Sequence, residues 1–250
     1  MQRYFYDGLP DESNQFIMNG EDAHHIIRVM RMQVNDQLIA VFSDETSAVC
    51  HINQITDDNV FCAIDHLIVN SPELPVQVTI AQGLPKGDKL ELVIQKSTEL
   101  GAFSFLPFTA ERSIVKWDAK KGAKKVDRWS KIAKEAAEQS HRHHLPAISA
   151  PISFKELVTA SKSFDTVVVA FEEQAKNGER SLFSKALENA SAGQSILVVV
   201  GPEGGLSERE VTQLEEAGAF SCGFGPRILR TETAPLYALA AISYHFELMR

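Results

Sequence analysis

The chain changes pattern once, at Asn70–Pro75 (NSPELP), and that change constrains the fold more than any other feature. A helix or the interior of a sheet does not continue through Pro72 and Pro75. Ahead of this break, strand-like runs stand at Gln37–Phe42 (QLIAVF), Ser47–Ile55 (SAVCHINQI) and Asn59–Ile68 (NVFCAIDHLI). Turn clusters at Ser43-Asp44-Glu45 and Asp57-Asp58-Asn59 separate them. Glu21–Arg31 (EDAHHIIRVMR) spaces its apolar residues helically behind an acidic first turn. The spacing predicts a small β-barrel with one helix.

Beyond the break, strands and helices alternate. Predicted strands are Gln77–Leu84, Phe103–Phe108, Thr166–Phe171, Ser195–Gly201 and Ala219–Phe224. Predicted helices are Asp88–Leu100, Val126–His141, Phe154–Ser161, Gly178–Ala190, Ser207–Ala217 and Pro235–Met249. Near-continuously apolar strands set between helices imply a parallel sheet covered on both faces. A chain of 250 residues accommodates both parts. The expected organisation is therefore a β-domain over 1–71 and an α/β domain over 72–250.

Composition narrows the function. The longest apolar runs, such as SILVVVG (195–201), fall far short of the ~20 residues of a membrane span. The N-terminal MQRYFYDGLPDESNQ lacks the apolar core of a signal peptide, so a cytoplasmic protein is expected. Cys50, Cys62 and Cys222 are too scattered for a disulfide framework or a zinc site, and are expected as buried small hydrophobes. Net charge is −8, yet it is uneven. Residues 1–80 carry 3 Lys/Arg against 12 Asp/Glu, whereas 81–150 carry 13 against 8. A basic segment inside an acidic protein can neutralise phosphates locally, or simply form a solvated helical face.

Three loops follow apolar strands, where open α/β sheets bind ligands. Gly201–Gly205 (GPEGG) lets the backbone approach a ligand and holds the Glu203 carboxylate there. Ser207 and Glu210 next to it form an S-x-x-E capping box. The pattern is neither G-x-G-x-x-G nor a P-loop, and a turn that only reverses the chain is its alternative reading. Phe224–Pro235 (FGPRILRTETAP) packs Gly225, Arg227, Arg230, Thr231, Glu232 and Thr233 between two apolar elements. Thr233 is expected to cap the last helix and Pro235 to sit in its first turn. Here the alternative is an Arg230–Glu232 pair that only anchors the loop. The third loop is Phe171-Glu172-Glu173. His141, His143 and His144 lack the further ligands of a metal site, so a structural or RNA-facing role is expected and no metal. No G-x-S-x-G supports a hydrolase.

GPEGGLSERE followed by FGPRILRTETAPLYAL resembles the two C-terminal motifs of the ribosomal RNA small-subunit methyltransferase E family, the uridine-N3 branch of the SPOUT superfamily. KSTELGA (96–102), PFTAERSIV (107–115), RWSKIAKEAAEQSHR (128–142) and HHIIRVMRMQVNDQL (24–38) extend the resemblance over nearly the whole chain. Phe224 departs from the aliphatic residue the family usually places before Gly-Pro-Arg.

The resemblance implies a PUA-like, RNA-binding β-barrel followed by a SPOUT-type α/β domain with a C-terminal trefoil knot, acting as a homodimer. It implies S-adenosylmethionine as cofactor, with Phe171, Glu172, Gly201, Pro202, Glu203, Gly204, Phe224, Gly225, Ile228, Leu229, Thr231, Thr233 and Ala234 around it. The implied product is N3-methyluridine in 16S rRNA of the small ribosomal subunit. For that chemistry Arg230 would stabilise the developing uracil anion and Glu232, or a water it orients, would be the base. Arg3, Arg28, Lys86, Lys89, Lys96, Arg112, Lys131, Lys134 and Arg142 are then expected at RNA phosphates. The alternatives are a SPOUT methyltransferase for another RNA position, or a ribosome-assembly protein with a vestigial site.

Overall fold

The computed structural model describes residues 1–115, 119–172 and 182–249. The chain divides into two compact units, Met1–Glu73 with Ala137–Leu145, and Leu74–Ala136 with Pro146–Arg250.

The first unit is one curled five-stranded sheet in the order β1-β3-β4-β5-β2. Its strands are β1 (Arg3–Phe5), β2 (Gln15–Met18), β3 (Gln37–Val41), β4 (Ser47–Ile55) and β5 (Val60–Ile68). β1 runs parallel to β3, and the other pairs are antiparallel. Two register shifts between β4 and β5, at Val49/Cys50 and Ile52/Gln54, add local twist. Residues 20–29 are helical as the spacing predicts, an α-helical turn α1 (Gly20–His24) running into a π-helical turn (His25–Val29). Tyr4, Phe16, Ile26, Leu38, Phe42, Ile52, Cys50 and Cys62 share the core. Burial pushes the thiols of Cys50 and Cys62 up to about 12, which leaves them inert. β1 and β2 carry no signal in the sequence pattern, because three and four residues among turn formers are too short to show alternation.

The segment Ala137–Leu145 joins this unit through charge. The Arg142 guanidinium, 3% exposed, pairs with Glu73, its Nε donating to the two carboxylate oxygens at 2.8 and 3.0 Å. The backbone N–H groups of His143 and His144 donate to the same carboxylate at 2.8 and 3.1 Å. Arg3 donates to the Arg142 carbonyl at 3.1 Å. The His143 ring lies 3.0 Å from Ser47 Oγ, and His144 pairs with Glu45 at 2.7 Å. Both histidines are thus bonded within this unit.

The second unit is built on a sheet in the order β12-β10-β11-β6-β7-β8, all of its pairings parallel, with β9 added on β7. The strands are β6 (Gln77–Gly83), β7 (Ser104–Thr109), β8 (Ala147–Ile148), β9 (Ile152–Ser153), β10 (Thr166–Ala170), β11 (Ser195–Val200) and β12 (Phe220–Cys222). The helices are α2 (Lys89–Glu99), α3 (Ala119–Gln139), α4 (Phe154–Ser161), α5 (Leu182–Glu188), α6 (Glu208–Glu216) and α7 (Ala234–Ser243). Period-2 alternation sorts each strand between two cores. Ile196, Val198 and Val200 join α2, α3, α5 and α7 on one face, while Leu197 and Val199 join α4 and α6 on the other.

Some expectations are corrected. α3 starts seven residues before the expected Val126, at Ala119, and ends at Gln139, leaving His141 in a left-handed turn at φ 59°. Pro235 does sit in the first turn of α7, but Thr233 makes no side-chain cap. Its φ −90°, ψ −33° is already helical, whereas a capping hydroxyl needs an extended backbone. The final helix is α-helical to Ser243 and π-helical over Tyr244–Leu248. Glu173 and the start of the expected helix at Gly178 lie outside the described residues. Among the described residues no helix is long and apolar enough to cross a membrane.

Candidate active site

β12, β10 and β11 are parallel neighbours, so their carboxyl ends share one edge of the sheet. The loops leaving that edge surround a cavity of about 500 Å³. Its walls include Phe171 and Glu172 after β10, Gly201 to Leu206 after β11, and Phe224 with Arg227 to Glu232 after β12. Lys89, Arg112, Val200, Glu208 and Ala234 complete much of the remainder. Three strand-end loops that the sequence could only offer separately thus converge.

The loop after β11 is glycine-rich because it is tight. A Cβ on Gly201 would stand 2.8 Å from the Gly205 carbonyl carbon, and one on Gly83 would stand 2.6 Å from Pro202 Cδ. The loop is also fastened from outside. Arg112 donates to the Gly204 carbonyl at 3.0 Å. Glu203 accepts from the Lys86 backbone N–H at 3.1 Å and pairs with Lys89 at 3.1 Å. Partial burial alone would raise the Glu203 carboxyl, but its own N–H, Lys89 and the Lys86 N–H outweigh that and hold it below the usual range. The expected capping box is present: Ser207 Oγ accepts from the Glu210 N–H, and Glu210 accepts from the Ser207 N–H at 2.9 Å. Glu210 also accepts the Glu111 N–H at 2.8 Å, while Ser207 Oγ donates to Glu111 at 2.8 Å.

Phe224 stacks in an aromatic row, 4.8 Å from Phe183 and 6.0 Å from Tyr237 between ring centroids. Gly225 turns at φ +76°, a conformation open to glycine. Thr231 is buried and donates to the Gly201 carbonyl at 2.6 Å, so the two glycine-containing loops touch directly. Arg230 and Glu232, on either side of Thr231, do not pair with each other. Arg230 and Arg227 are exposed and have no ion pair among the described residues. Glu232 is half-buried, and its Oε2 lies 3.4 Å from Lys89 Nζ without hydrogen-bond geometry. Lys89 thus spans two carboxylates of different loops, and its ammonium is held above its ordinary range by Glu203 first and then Glu232.

Of the residues expected around the cofactor, all line the cavity except Gly225 and Thr233, which flank it in the chain. The expected phosphate contacts divide. Arg28, Lys86, Arg112 and Lys131 are exposed, and Lys134 is half-buried. Half-buried Lys89 and Lys96 pair with Glu203 and Glu99. Arg3 and Arg142 are corrections: at 5% and 3% exposed they sit inside the first unit, where Arg142 pairs with Glu73 and one Arg3 donor bonds the Arg142 carbonyl. Sequence reasoning missed Gln82, which donates from Nε2 to Thr231 Oγ1 at 2.8 Å and to the Gly201 carbonyl at 3.3 Å. Within an apolar strand its only signal was a buried-strand position filled by an amide.

Two family models match the chain, an RNA methyltransferase domain over residues 72–243 and an RNA methyltransferase PUA domain over residues 19–65. A ribosomal RNA small subunit methyltransferase E of Bacillus subtilis is 51% identical, covering 100% of this chain and 99% of its own length. The Mycobacterium bovis protein of that name is 32% identical over 96% and 90% of the two chains. The crystal structure of a ribosomal RNA small subunit methyltransferase E from Neisseria gonorrhoeae, bound to S-adenosyl methionine, superposes with a TM-score of 0.82. It is 28% identical and covers 97% of each chain. Matched in sequence from end to end and in fold across both units, the chain belongs to the ribosomal RNA small subunit methyltransferase E family.

Proposed function

We propose that this chain methylates N3 of a uridine in 16S rRNA, with S-adenosylmethionine as donor, as a cytoplasmic homodimer. One observation carries the reading: three strand-end loops enclose a single cavity whose wall is glycine backbone on one loop and Arg230 and Glu232 on another. About 500 Å³ lies within the usual range for a site of one cofactor-sized molecule. Phe171, Leu206, Phe224, Leu229 and Ala234 offer it apolar surface, and the 201–204 backbone and Glu172 offer it polar partners. When bound, S-adenosylmethionine supplies an electrophilic methyl group on a positively charged sulfur. Gly225 and Thr233 keep the 224–234 loop in shape around it, in the trefoil knot that the family resemblance implies.

The chain's own residues must then make uracil N3 a nucleophile. That nitrogen carries a proton and is poor until it loses it. The half-buried Glu232 carboxylate accepts the proton, directly or through a water. Arg230, exposed and with no ion pair among the described residues, donates to a uracil carbonyl oxygen as negative charge gathers there. RNA is drawn in by the exposed Arg28, Lys86, Arg112 and Lys131, which position phosphates while unstacked bases give specificity. Tyr237, Tyr244 and Leu248 of the last helix, 37%, 57% and 72% exposed, support a dimer face there.

The test is mass spectrometry of 16S rRNA nucleosides from cells with and without the protein. N3-methyluridine is expected to vanish on deletion and to return with the wild-type chain. Persistence of the full amount would end the assignment. A sedimentation mass near that of one 27.7 kDa chain at micromolar concentration would remove the homodimer.

A further inference from the structure

The amide of Gln82, the penultimate residue of β6, takes no part in the chemistry above. It is 1% exposed and does not line the cavity. Its Nε2 donates to Thr231 Oγ1 at 2.8 Å, to the Gly201 carbonyl at 3.3 Å and to the Gly83 carbonyl at 3.2 Å. The orientation of the amide is fixed by these partners. The Thr231 hydroxyl hydrogen is committed to the Gly201 carbonyl at 2.6 Å, so its oxygen can only accept. Turned over, the Gln82 carbonyl would face two backbone carbonyls. Oε1 is therefore left buried without a hydrogen-bond partner among the described residues.

A buried acceptor with no partner costs folding free energy, and an unpaired polar group kept in a native interior calls for an explanation. An apolar side chain of the same length would fill β6 without that cost. What glutamine adds is a joint between segments 119 and 149 residues away in sequence. One of those segments opens the glycine loop at Gly201. The other is Thr231, held between Arg230 and Glu232.

We infer that Gln82 is a positioning residue for methyl transfer, its buried amide locking the loop that carries Arg230 and Glu232 onto the glycine loop. This rests on the methyltransferase reading above. Geometry of this kind acts on rate more than on fold, because small misplacement of reacting groups is costly to turnover.

The experiment compares Gln82→Met, Thr231→Val and Thr231→Ser by thermal melting, S-adenosylmethionine titration and single-turnover methylation of 16S rRNA in the small subunit. Gln82→Met is expected to melt near the wild type, to lose about 10–100-fold in single-turnover rate, and to lose less in donor affinity. Thr231→Ser keeps the hydroxyl and most of the rate, while Thr231→Val does not. Combining Gln82→Met with Thr231→Val is expected to cost far less than the product of the single losses, since both break one joint. A wild-type rate in folded Gln82→Met, or full additivity, overturns the inference. Where Gln82→Met fails to fold, equal rates for Thr231→Val and Thr231→Ser overturn it. A wild-type chain that neither binds the donor nor methylates would instead remove the underlying reading.

Discussion

Two pairs of arginines, one pair in each unit, are placed in opposite ways. In the first, Arg142 and Arg3 are buried, Arg142 paired with the Glu73 carboxylate and Arg3 donating to the Arg142 backbone carbonyl. In the second, Arg227 and Arg230 stand exposed at a cavity with no ion pair among the described residues. A buried, paired guanidinium holds architecture, because removing one partner strands the other charge in low dielectric. An exposed one beside a cavity of strand-end loops keeps its donors free for a ligand. Burial and partners, not residue type, separate the two roles.

The sharpest way to break this comparison is to remove one arginine of each kind. Arg230→Ala is expected to keep the melting temperature and donor affinity, and to lose about 10²–10³-fold in turnover at saturating RNA. Arg230→Lys should restore only part, because an ammonium lacks the planar fork. A normal single-turnover rate in Arg230→Ala would strip the second unit's arginine of its distinction.

Arg142→Ala should do the reverse. Leaving Glu73 half-enclosed without its guanidinium is expected to cost about 3 kcal/mol of stability, the low end for a broken buried pair since Glu73 keeps 20% exposure. Donor affinity measured well below the melting temperature should not change. A stable Arg142→Ala protein that binds RNA phosphate more weakly would return this arginine to the RNA interface.

Acid should find the first unit before the second. Burial would raise the Glu73 carboxyl, but the hydrogen bonds and charge of Arg142 with the N–H groups of His143 and His144 hold it below its ordinary 4.5. Its folded value is depressed, so its contribution is complete above pH 4.5 and is lost as pH falls toward the folded value. His143 adds to this. Burial first, and Arg3 second, lower it from 6.5, so the neutral ring favours the folded state above that pH and loses the advantage below it. Hydrogen exchange at falling pH should show β1, β4 and residues 137–145 opening ahead of β10 and β11. Glu73→Gln should flatten the part below pH 4.5. Simultaneous opening of both units would contradict it.

What the sequence made legible follows the same division. Ile196 to Val200 announces a sheet covered on both faces because alternate residues are all apolar, and they do enter two cores. Ser207 and Glu210 announce a helix start because capping is local chemistry, three residues apart. The glycine and FGPRILRTET loops are legible as site material, since polar residues between apolar elements mark strand-end loops. Arg142 was not legible: beside three histidines it resembles an RNA contact, and only Glu73, 69 residues away, makes it interior. Gln82 was hidden for the same reason, with partners 119 and 149 residues off. Partnership across such distances is set by topology and leaves no periodic trace.

The smallest expected effect gives the finest comparison, because among its described residues the second unit has two capping boxes of the same chemistry in different places. Ser153 caps α4 with Glu156, its N–H donating to that carboxylate at 2.7 Å. Ser207 caps α6 with Glu210, and directly follows the glycine loop. Each cap lost should cost about 1 kcal/mol, and Ser207→Ala should melt below Ser153→Ala because its buried hydroxyl also bonds the Glu111 carboxylate. Ser207 differs in what else it holds: its hydroxyl also reaches Glu111, whose N–H is bound by Glu210, and Arg112 next to it donates to the Gly204 carbonyl. Ser207→Ala should therefore weaken S-adenosylmethionine binding severalfold while Ser153→Ala leaves it unchanged. Equal donor affinities in the two variants would mean that the glycine loop holds its shape without α6. The fastening would then fall to Gln82, Thr231 and Lys89 on its other side.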